Sequence, residues 1–120
     1  MSREDVARAK LFRLVGLGVR GRGAVVGVEQ VREAVRRGKL HLAIAATDAS
    51  RNSLEKVLPL LKARGTAVVE VPSAAELGAA VGREKTAVVG IVDSRLADGI
   101  RALEHSAPPD DREMEEGDAG

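Results

Sequence analysis

Two aspartates follow apolar runs of the sequence, at positions where α/β enzymes often carry catalytic carboxylates. Asp48 comes after the run Leu40–Ala46, and Asp93 comes after Ala87–Val92. A phosphoacceptor domain of similar length needs an acidic pair after its first strand to hold Mg²⁺, but the first strand here is followed by Gly27-Val28-Glu29-Gln30. We therefore expect both aspartates to cap helices, and we assign no catalytic residue.

A glycine-rich segment near the N-terminus matches the dinucleotide-binding fingerprint G-x-G-x-x-G. It runs Gly16-Leu17-Gly18-Val19-Arg20-Gly21. In nucleotide-binding proteins this motif follows a strand and begins a helix, so that the pyrophosphate meets the positive helix end. Here it follows a helical pattern and precedes the short apolar run Ala24–Val26. We interpret it as the end of a helix, and we expect no cofactor.

Residue types that are rare or missing exclude several other chemistries. The chain has no Cys, Trp or Tyr, and Phe12 is its single aromatic residue. Thiolate catalysis, iron–sulfur clusters, cysteine zinc sites and disulfides are therefore excluded. His41 and His105 have no nearby partner for a zinc site or a Ser-His-Asp triad, so we expect no metal. One Phe cannot form the stacking platform of single-strand RNA binders.

Basic residues around the second predicted helix form a stronger signal. Glu29, Arg32 and Arg36 share a helical face by their spacing of three and four residues. Gly27 and Val28 leave backbone N–H groups at the positive start of this helix, which suits an anion or a base edge. The pattern favours contact with RNA backbone and shape, although a solvated charged face is the simpler alternative.

The net charge of +1 is the sum of two segments of opposite sign. Residues 105–120 contain six acids and one base, whereas residues 1–104 contain 18 bases and 12 acids. Within residues 8–39, nine bases face two acids. We predict one folded domain over residues 1–105 and a disordered acidic tail over residues 106–120.

Apolar periodicity and capping residues predict nine elements in the order α-β-α-β-α-β-α-β-α. The first helix is expected over 5–17, and Pro59 is expected to kink or shorten the third helix. Helices that alternate with apolar strands indicate an α/β fold, with a four-stranded sheet between helical layers. The chain has no apolar run long enough to span a bilayer and no signal-peptide pattern, so we expect a cytoplasmic protein without membrane contact. We also expect a monomer.

Several ordered blocks of sequence resemble the kink-turn RNA-binding ribosomal protein superfamily, which includes the archaeal large-subunit protein seven-Ae and the thirty-e protein. The blocks are Gly27–Val31, Arg36–Leu40, Leu42–Ser53, Glu76–Gly82 and Ala87–Asp93. The resemblance covers about residues 6–104. Two motifs, the N-terminal Leu-x-x-Leu-Val-Gly-Leu and the later Asp-Ala-Ser-x-Asn-Ser, resemble those of the small bacterial branch of this superfamily.

The resemblance implies a three-layer α/β/α sandwich with a mixed sheet. It also implies RNA binding at the start of the second helix and at the loop before the last strand. Family proteins have Gly-x-Asn-Glu-x-x-Lys at the helix start. This chain has Glu29 for the Asn, Gln30 for the Glu and Glu33 for the Lys, and its loop Arg83-Glu84-Lys85-Thr86 is charged instead of apolar. We therefore predict weakened or absent kink-turn recognition.

From these observations we predict a non-enzymatic protein that binds structured RNA, either ribosomal RNA or a kink-turn-like RNA. Its predicted RNA-binding residues are Arg20, Arg22, Gly27, Val28, Glu29, Gln30, Arg32, Arg36, Arg83 and Lys85. Ribosomal and translation-factor partners are consistent with this prediction. One alternative is a protein-interaction module of the translation or transcription machinery that kept the fold and lost RNA contact. Another is the substrate-binding head of an RNA methyltransferase, which would need a partner chain.

Overall fold

The computed structural model describes residues 2–106, which form five helices and four strands in the predicted order. The elements are α1 (Arg3–Arg20), β1 (Ala24–Val26), α2 (Val28–Arg36), β2 (Leu42–Ala46), α3 (Arg51–Ala63), β3 (Ala67–Val71), α4 (Ala74–Ala80), β4 (Val88–Ile91) and α5 (Ser94–Ser106). The predicted acidic tail lies outside the described residues from position 107 onward.

The four strands form one mixed sheet in the order β1-β4-β2-β3, which confirms the predicted fold class. β4 is antiparallel to both of its neighbours, and β2 is parallel to β3. Helices α1, α4 and α5 pack on one face of the sheet, and α2 and α3 pack on the other. All five residues of β2 are buried because this strand is covered on both faces.

The strand directions place the connections at two opposite edges of the sheet. At the carboxyl edge β1, β2 and β3 end and β4 begins; here the Gly27 N–H donates to the Val88 carbonyl at 2.9 Å, and the Ala46 N–H donates to the Ala87 carbonyl at 2.9 Å. At the amino edge the same three strands begin and β4 ends. Five residues separate the edges along β2, which corresponds to roughly 16 Å.

Helix α1 continues through Gly16 and Gly18 to Arg20, so the prediction that it ends near Leu17 was wrong. Both glycines are buried. A Cβ at Gly16 would lie 2.7 Å from the Ala80 carbonyl oxygen, and one at Gly18 would collide with the Leu96 side chain. The glycines therefore allow α1 to approach α4 and α5 closely, and their spacing reflects helix packing.

Helix α3 runs as one element through Pro59, so the proline does not shorten it. Proline removes the N–H that would donate to the carbonyl four residues earlier, which belongs to Glu55. Both residues lie on the solvent-exposed side of the helix, where water can hydrate that carbonyl. The cost of the missing hydrogen bond is therefore reduced.

Asp48 and Asp93 both cap helices, as predicted. The Asp93 carboxylate accepts from the Leu96 N–H at 2.9 Å, in the first turn of α5. The Asp48 carboxylate accepts from the Ala74 N–H at 2.7 Å and therefore caps α4, not the helix that follows it in sequence. Asp48 thus joins the β2–α3 connection to the start of α4 at the carboxyl edge.

Candidate nucleic-acid interface

The start of α2 leaves the backbone N–H groups of residues 28–30 without a partner among the described residues at the carboxyl edge. The expectation that the Gly27 N–H is also free was wrong, because it donates to the Val88 carbonyl as an extension of the β1–β4 pairing. The N-cap of α2 is Gly27, with φ 96° and ψ 160°, and no side chain accepts from the first turn. The other four described helices begin at residues whose side chains accept such hydrogen bonds, namely Ser2, Ser50, Ser73 and Asp93. Glu29 and Gln30 are exposed beside these uncapped donors, while Val28 is half-buried against the core.

The loop before β4 reaches the same edge and lies directly on α4. The Arg83 N–H donates to the Gly78 carbonyl at 2.8 Å, and the Thr86 N–H donates to the Ala74 carbonyl at 2.9 Å. A Cβ at Gly78 would lie 2.8 Å from the Lys85 Cα. This close packing holds the backbone of the loop in place and leaves the Arg83 and Lys85 side chains exposed.

A hollow of about 510 Å³ at this edge lies between the β2–α3 connection, the start of α4 and the loop before β4. Asp48, Ser50, Ser53 and Lys85 supply polar groups to its wall, and alanines supply most of the rest. Thr86, next in sequence to Lys85, is only 4% exposed, and its hydroxyl has no hydrogen-bond partner among the described residues. The wall of the hollow therefore combines small side chains with hydrogen-bond donors and acceptors.

Arg32 lies between α2 and α3. Its guanidinium donates to the Lys56 carbonyl at 2.7 Å, and its Nε atom is buried without a partner in the described chain. The side chain is half-buried, and this hydrogen bond joins α2 to α3.

Glu33 forms ion pairs with two arginines near the end of α2. Its carboxylate lies 2.9 Å from Arg37 and 3.3 Å from Arg36. The hydrogen bond from Arg37, followed by the one from Arg36, lowers the pKa of Glu33 below its usual value. The spacing of four residues between Glu33 and Arg37 suits such a pair, and the three side chains together retain one positive charge.

The remaining predicted contacts, Arg20 and Arg22, lie at the amino edge. Both are exposed, one at the end of α1 and the other in the connection to β1. The Val92 N–H donates to the Gly23 carbonyl at 2.9 Å, which ties this connection to the end of β4. Among the described residues outside glycine, Arg22 is the one with positive φ, at 63°.

Comparison with known proteins identifies the family and a relative of this chain. Residues 9–98 match the Ribosomal protein L7Ae/L30e/S12e/Gadd45 family. The chain belongs to this family. The L7Ae-family chain is 32% identical over 92 residues to the RNA-binding protein YlxQ of Bacillus subtilis strain 168, a match that covers 77% of this chain and 92% of YlxQ. The resemblance to the superfamily inferred from the sequence is thereby confirmed.

Two solved structures share the fold of this L7Ae-family protein. One is a protein of unknown function from Bacillus halodurans, with a TM-score of 0.72, 33% identity, and coverage of 79% of this chain and 96% of that chain. Another is the 15.5kD RNA binding protein of Giardia lamblia, with a TM-score of 0.68, 25% identity, and coverage of 84% and 87%.

The ten predicted contacts of the L7Ae-family chain thus occupy different places. Gly27, Val28, Glu29, Gln30 and Lys85 lie at the carboxyl edge, with Arg83 slightly farther along the same loop. Arg32 and Arg36 lie farther along α2, and Arg20 and Arg22 lie at the amino edge.

Other exposed groups at the two edges escaped the sequence prediction. Arg51 begins α3 at the carboxyl edge, and Lys39 and Arg95 lie at the amino edge. The signal that would have found them is their position beside the same ends of the strands, which becomes useful only once the strand order is known. Within residues 2–106, no group of three His, Cys, Asp or Glu is suited to a metal ion, and no helix is long and apolar enough to cross a membrane.

Proposed function

We propose that this protein is a non-enzymatic RNA-binding protein that contacts structured RNA at the carboxyl edge. The observation that carries the proposal is the uncapped start of α2, at an edge shared with the starts of α3 and α4 and with the loop over 83–87. Backbone N–H groups at a helix start favour a phosphate or an acceptor on a base edge. The names of YlxQ and of the Giardia protein support RNA as the ligand.

The side chains at the α2 start are suited to reading an exposed base. Gln30 carries an amide and Glu29 a carboxylate, and both are exposed. The resemblance gives the same two groups in the opposite order, with the amide first. The donors and acceptors needed for sheared G·A edges are thus present, but the exchange moves each to the neighbouring position. We expect contact with unpaired bases and poor discrimination for a kink-turn.

Two further features favour broad recognition of structured RNA, of which ribosomal RNA is one candidate. The loop Arg83-Glu84-Lys85-Thr86 presents charged side chains where a nucleotide would pack on an apolar surface in the family. Glu33 replaces a lysine that would face phosphate, although Arg36 and Arg37 offset its charge. Affinity should therefore depend on phosphate contacts more than on the kink itself.

A salt titration with three RNAs tests the proposal. The RNAs are a kink-turn, the same stem with its G·A pairs replaced, and a plain duplex of equal length. We expect all three to bind with affinities within about tenfold of one another, and log Kd to rise steeply with log salt concentration. Binding of none of them at low salt would contradict the proposal. A preference for the kink-turn of about a thousandfold would contradict the broad recognition.

The charge of the carboxyl edge favours one other candidate, a protein-interaction module. Residues 27–31, 47–54 and 72–87 contain three Lys or Arg and four Asp or Glu. This is a weak surface for a polyanion, and it suits a partner with basic residues, such as a ribosomal protein or a translation factor. Co-purification of such a protein, together with failure to bind all three RNAs, would favour this candidate.

A further inference from the structure

The amino edge is far more basic than the carboxyl edge. When each connection is taken with the helical turn beside it, the amino edge comprises residues 17–23, 33–41, 60–66 and 92–97. These contain eight Lys or Arg and two Asp or Glu, a net charge of +6, against a net charge of −1 for the carboxyl edge. All eight basic side chains are exposed.

Backbone contacts connect the segments that carry these charges. The Val92 and Asp93 N–H groups donate to the Gly23 carbonyl at 2.9 and 3.2 Å, so the segments that hold Arg22 and Arg95 are adjacent. The His41 N–H donates to the Ile91 carbonyl at 2.8 Å and places the connection that holds Lys39 beside the same end of β4. The segments that hold Arg22, Lys39 and Arg95 therefore meet around the end of this strand.

Helix stability explains only some of these bases. Three of them lie in the last turns of helices, where a positive charge interacts favourably with the negative end of the helix dipole; these are Arg20, Arg36 and Lys62. Arg22 and Lys39 lie outside helices, and Arg95 lies at the positive start of α5, where a base is unfavourable.

Arg22 also occupies a conformation in which a side chain is costly. Its φ of 63° is left-handed, and the other described residues with positive φ are all glycines. A residue other than glycine is strained in this region because its Cβ comes too close to the following carbonyl oxygen. The side chains of Arg22, Lys39 and Arg95 have no ion pair or hydrogen bond within residues 2–106, so no local contact offsets these costs.

We propose that the amino edge is a second RNA contact, which binds the phosphate backbone of double-helical RNA through Arg22, Lys39 and Arg95. The proposal rests on the proposed function, since it concerns the same ligand. Guanidinium and ammonium groups in an exposed cluster match a regular array of phosphates, and they need no aromatic platform. Duplex RNA presents its phosphates and 2′-hydroxyls for recognition by shape.

The distance between the edges lets this surface act independently of the acids at the carboxyl edge. The edges are roughly 16 Å apart, and exposed charges are screened beyond about 10 Å at 0.1 M salt. A phosphate at the amino edge therefore experiences mainly the net charge of +6 there. The near-neutral charge of the whole chain does not describe the field that an RNA meets.

Two matched triple variants of the full chain test this inference. One carries Arg22→Gln, Lys39→Gln and Arg95→Gln. The control carries Arg3→Gln, Lys10→Gln and Arg13→Gln, which remove the same charge from exposed positions on α1 well before its end. Affinity for the plain RNA duplex and for the kink-turn RNA is measured between about 50 and 200 mM salt, and folding is checked by thermal unfolding.

We expect the amino-edge triple to weaken binding of both RNAs by about tenfold or more and to lower the salt slope by about three, while the control changes affinity by less than about threefold. Equal loss in the two triples would overturn the inference and indicate a net-charge effect. Unchanged binding of the amino-edge triple would also overturn it, and the proposed function would stand. If the wild-type protein binds neither RNA, both proposals fail.

A single substitution separates this role from folding. Arg22→Gly removes the charge and relieves the left-handed strain, so its thermal midpoint should equal or exceed that of the wild type. We expect duplex affinity to fall by about threefold or more and the salt slope to fall by about one. A variant with unchanged duplex affinity and slope would contradict a phosphate contact at Arg22.

Discussion

Three helices begin at the carboxyl edge of the sheet, whereas three helices end at the amino edge. The helix starts of α2, α3 and α4 direct positive dipole ends to one surface, where the side chains carry a slight excess of acids. At the amino edge the negative ends of α1, α2 and α3 are surrounded by exposed bases. Fixed backbone donors suit recognition of particular groups, and side-chain charges suit salt-sensitive affinity.

We expect the two edges to contribute differently to RNA binding. The carboxyl edge is built on close backbone contacts and helix caps, so its shape is expected to matter most. The amino edge is built on exposed flexible side chains, so its charge is expected to matter most. Variants that change shape at the carboxyl edge should therefore mainly change stability. Variants that change charge at the amino edge should mainly change the salt dependence of RNA binding.

The largest expected effect comes from filling the contact between α4 and its loop. A Cβ at Gly78 would lie 2.8–2.9 Å from three backbone atoms of residues 83–85. Gly78→Ala should therefore lower the free energy of unfolding by about 3 kcal/mol. The control is Gly99→Ala in α5, where the nearest atom is 3.8 Å away and a gain of about 0.5–1 kcal/mol is expected. Urea unfolding measures both, and equal effects would contradict the close packing of the loop.

The two ends of α2 should respond unequally to the same substitution. Gly27 has φ 96° and ψ 160°, a region that is essentially restricted to glycine, so Gly27→Ala should cost about 2 kcal/mol and displace the helix start. Gly38 has φ 67°, in the ordinary left-handed region, where Gly38→Ala should cost about 1 kcal/mol. Denaturant unfolding compares them. A larger cost at Gly38 would contradict the conformation described for the α2 start.

Removal of the two aspartate caps should affect stability equally and RNA binding unequally. Asp48→Ala and Asp93→Ala each lose a helix-capping hydrogen bond, at a cost of about 1 kcal/mol. Asp93 lies at the amino edge, so its loss should also steepen the salt dependence of duplex binding by about one, whereas the loss of Asp48 should not. Thermal unfolding and salt titration provide the two readouts. Equal slopes would show that the edges are not electrostatically separate.

The smallest effect is expected from Glu33, whose pKa is lowered by Arg37 and Arg36. Its ionised form stabilises the folded state above the usual pKa of 4.5, and this contribution is lost as the pH falls through the lowered folded value. Glu33→Gln should remove this small ion-pair contribution at neutral pH, flatten the loss of stability below pH 4.5 by the same amount, and free both arginines for phosphate. Thermal midpoints across pH test this, and an unchanged acid dependence would contradict the ion pairs.

Much of the fold followed from local signals in the sequence. Apolar runs and capping residues located the elements, because burial and helix capping act over a few residues. The end of α1 was misplaced, since Gly16 and Gly18 are helical only because α4 and α5 pack on them. Asp48 was correctly taken as a cap, but its partner, Ala74, is distant in sequence.

The site was harder to predict because it depends on the strand order. Arg22 and Gly27 are five residues apart in sequence and lie at opposite edges of the sheet, on either side of β1. Lys39 and Arg95 are far apart in sequence and share an edge, because β4 runs antiparallel to β1 and β2. The sequence shows which residues are charged, but the strand order is needed to show which of them share an edge.

The most direct test of the two-edge account is a map of backbone amide NMR shifts on addition of RNA. With a plain duplex we predict shifts in residues 20–23, 37–41 and 92–95 and little change in 27–30. With an RNA that contains unpaired bases, such as a kink-turn, we predict shifts at both edges. Shifts confined to 27–30 and 83–87 with both RNAs, with no change at the amino edge, would contradict the account.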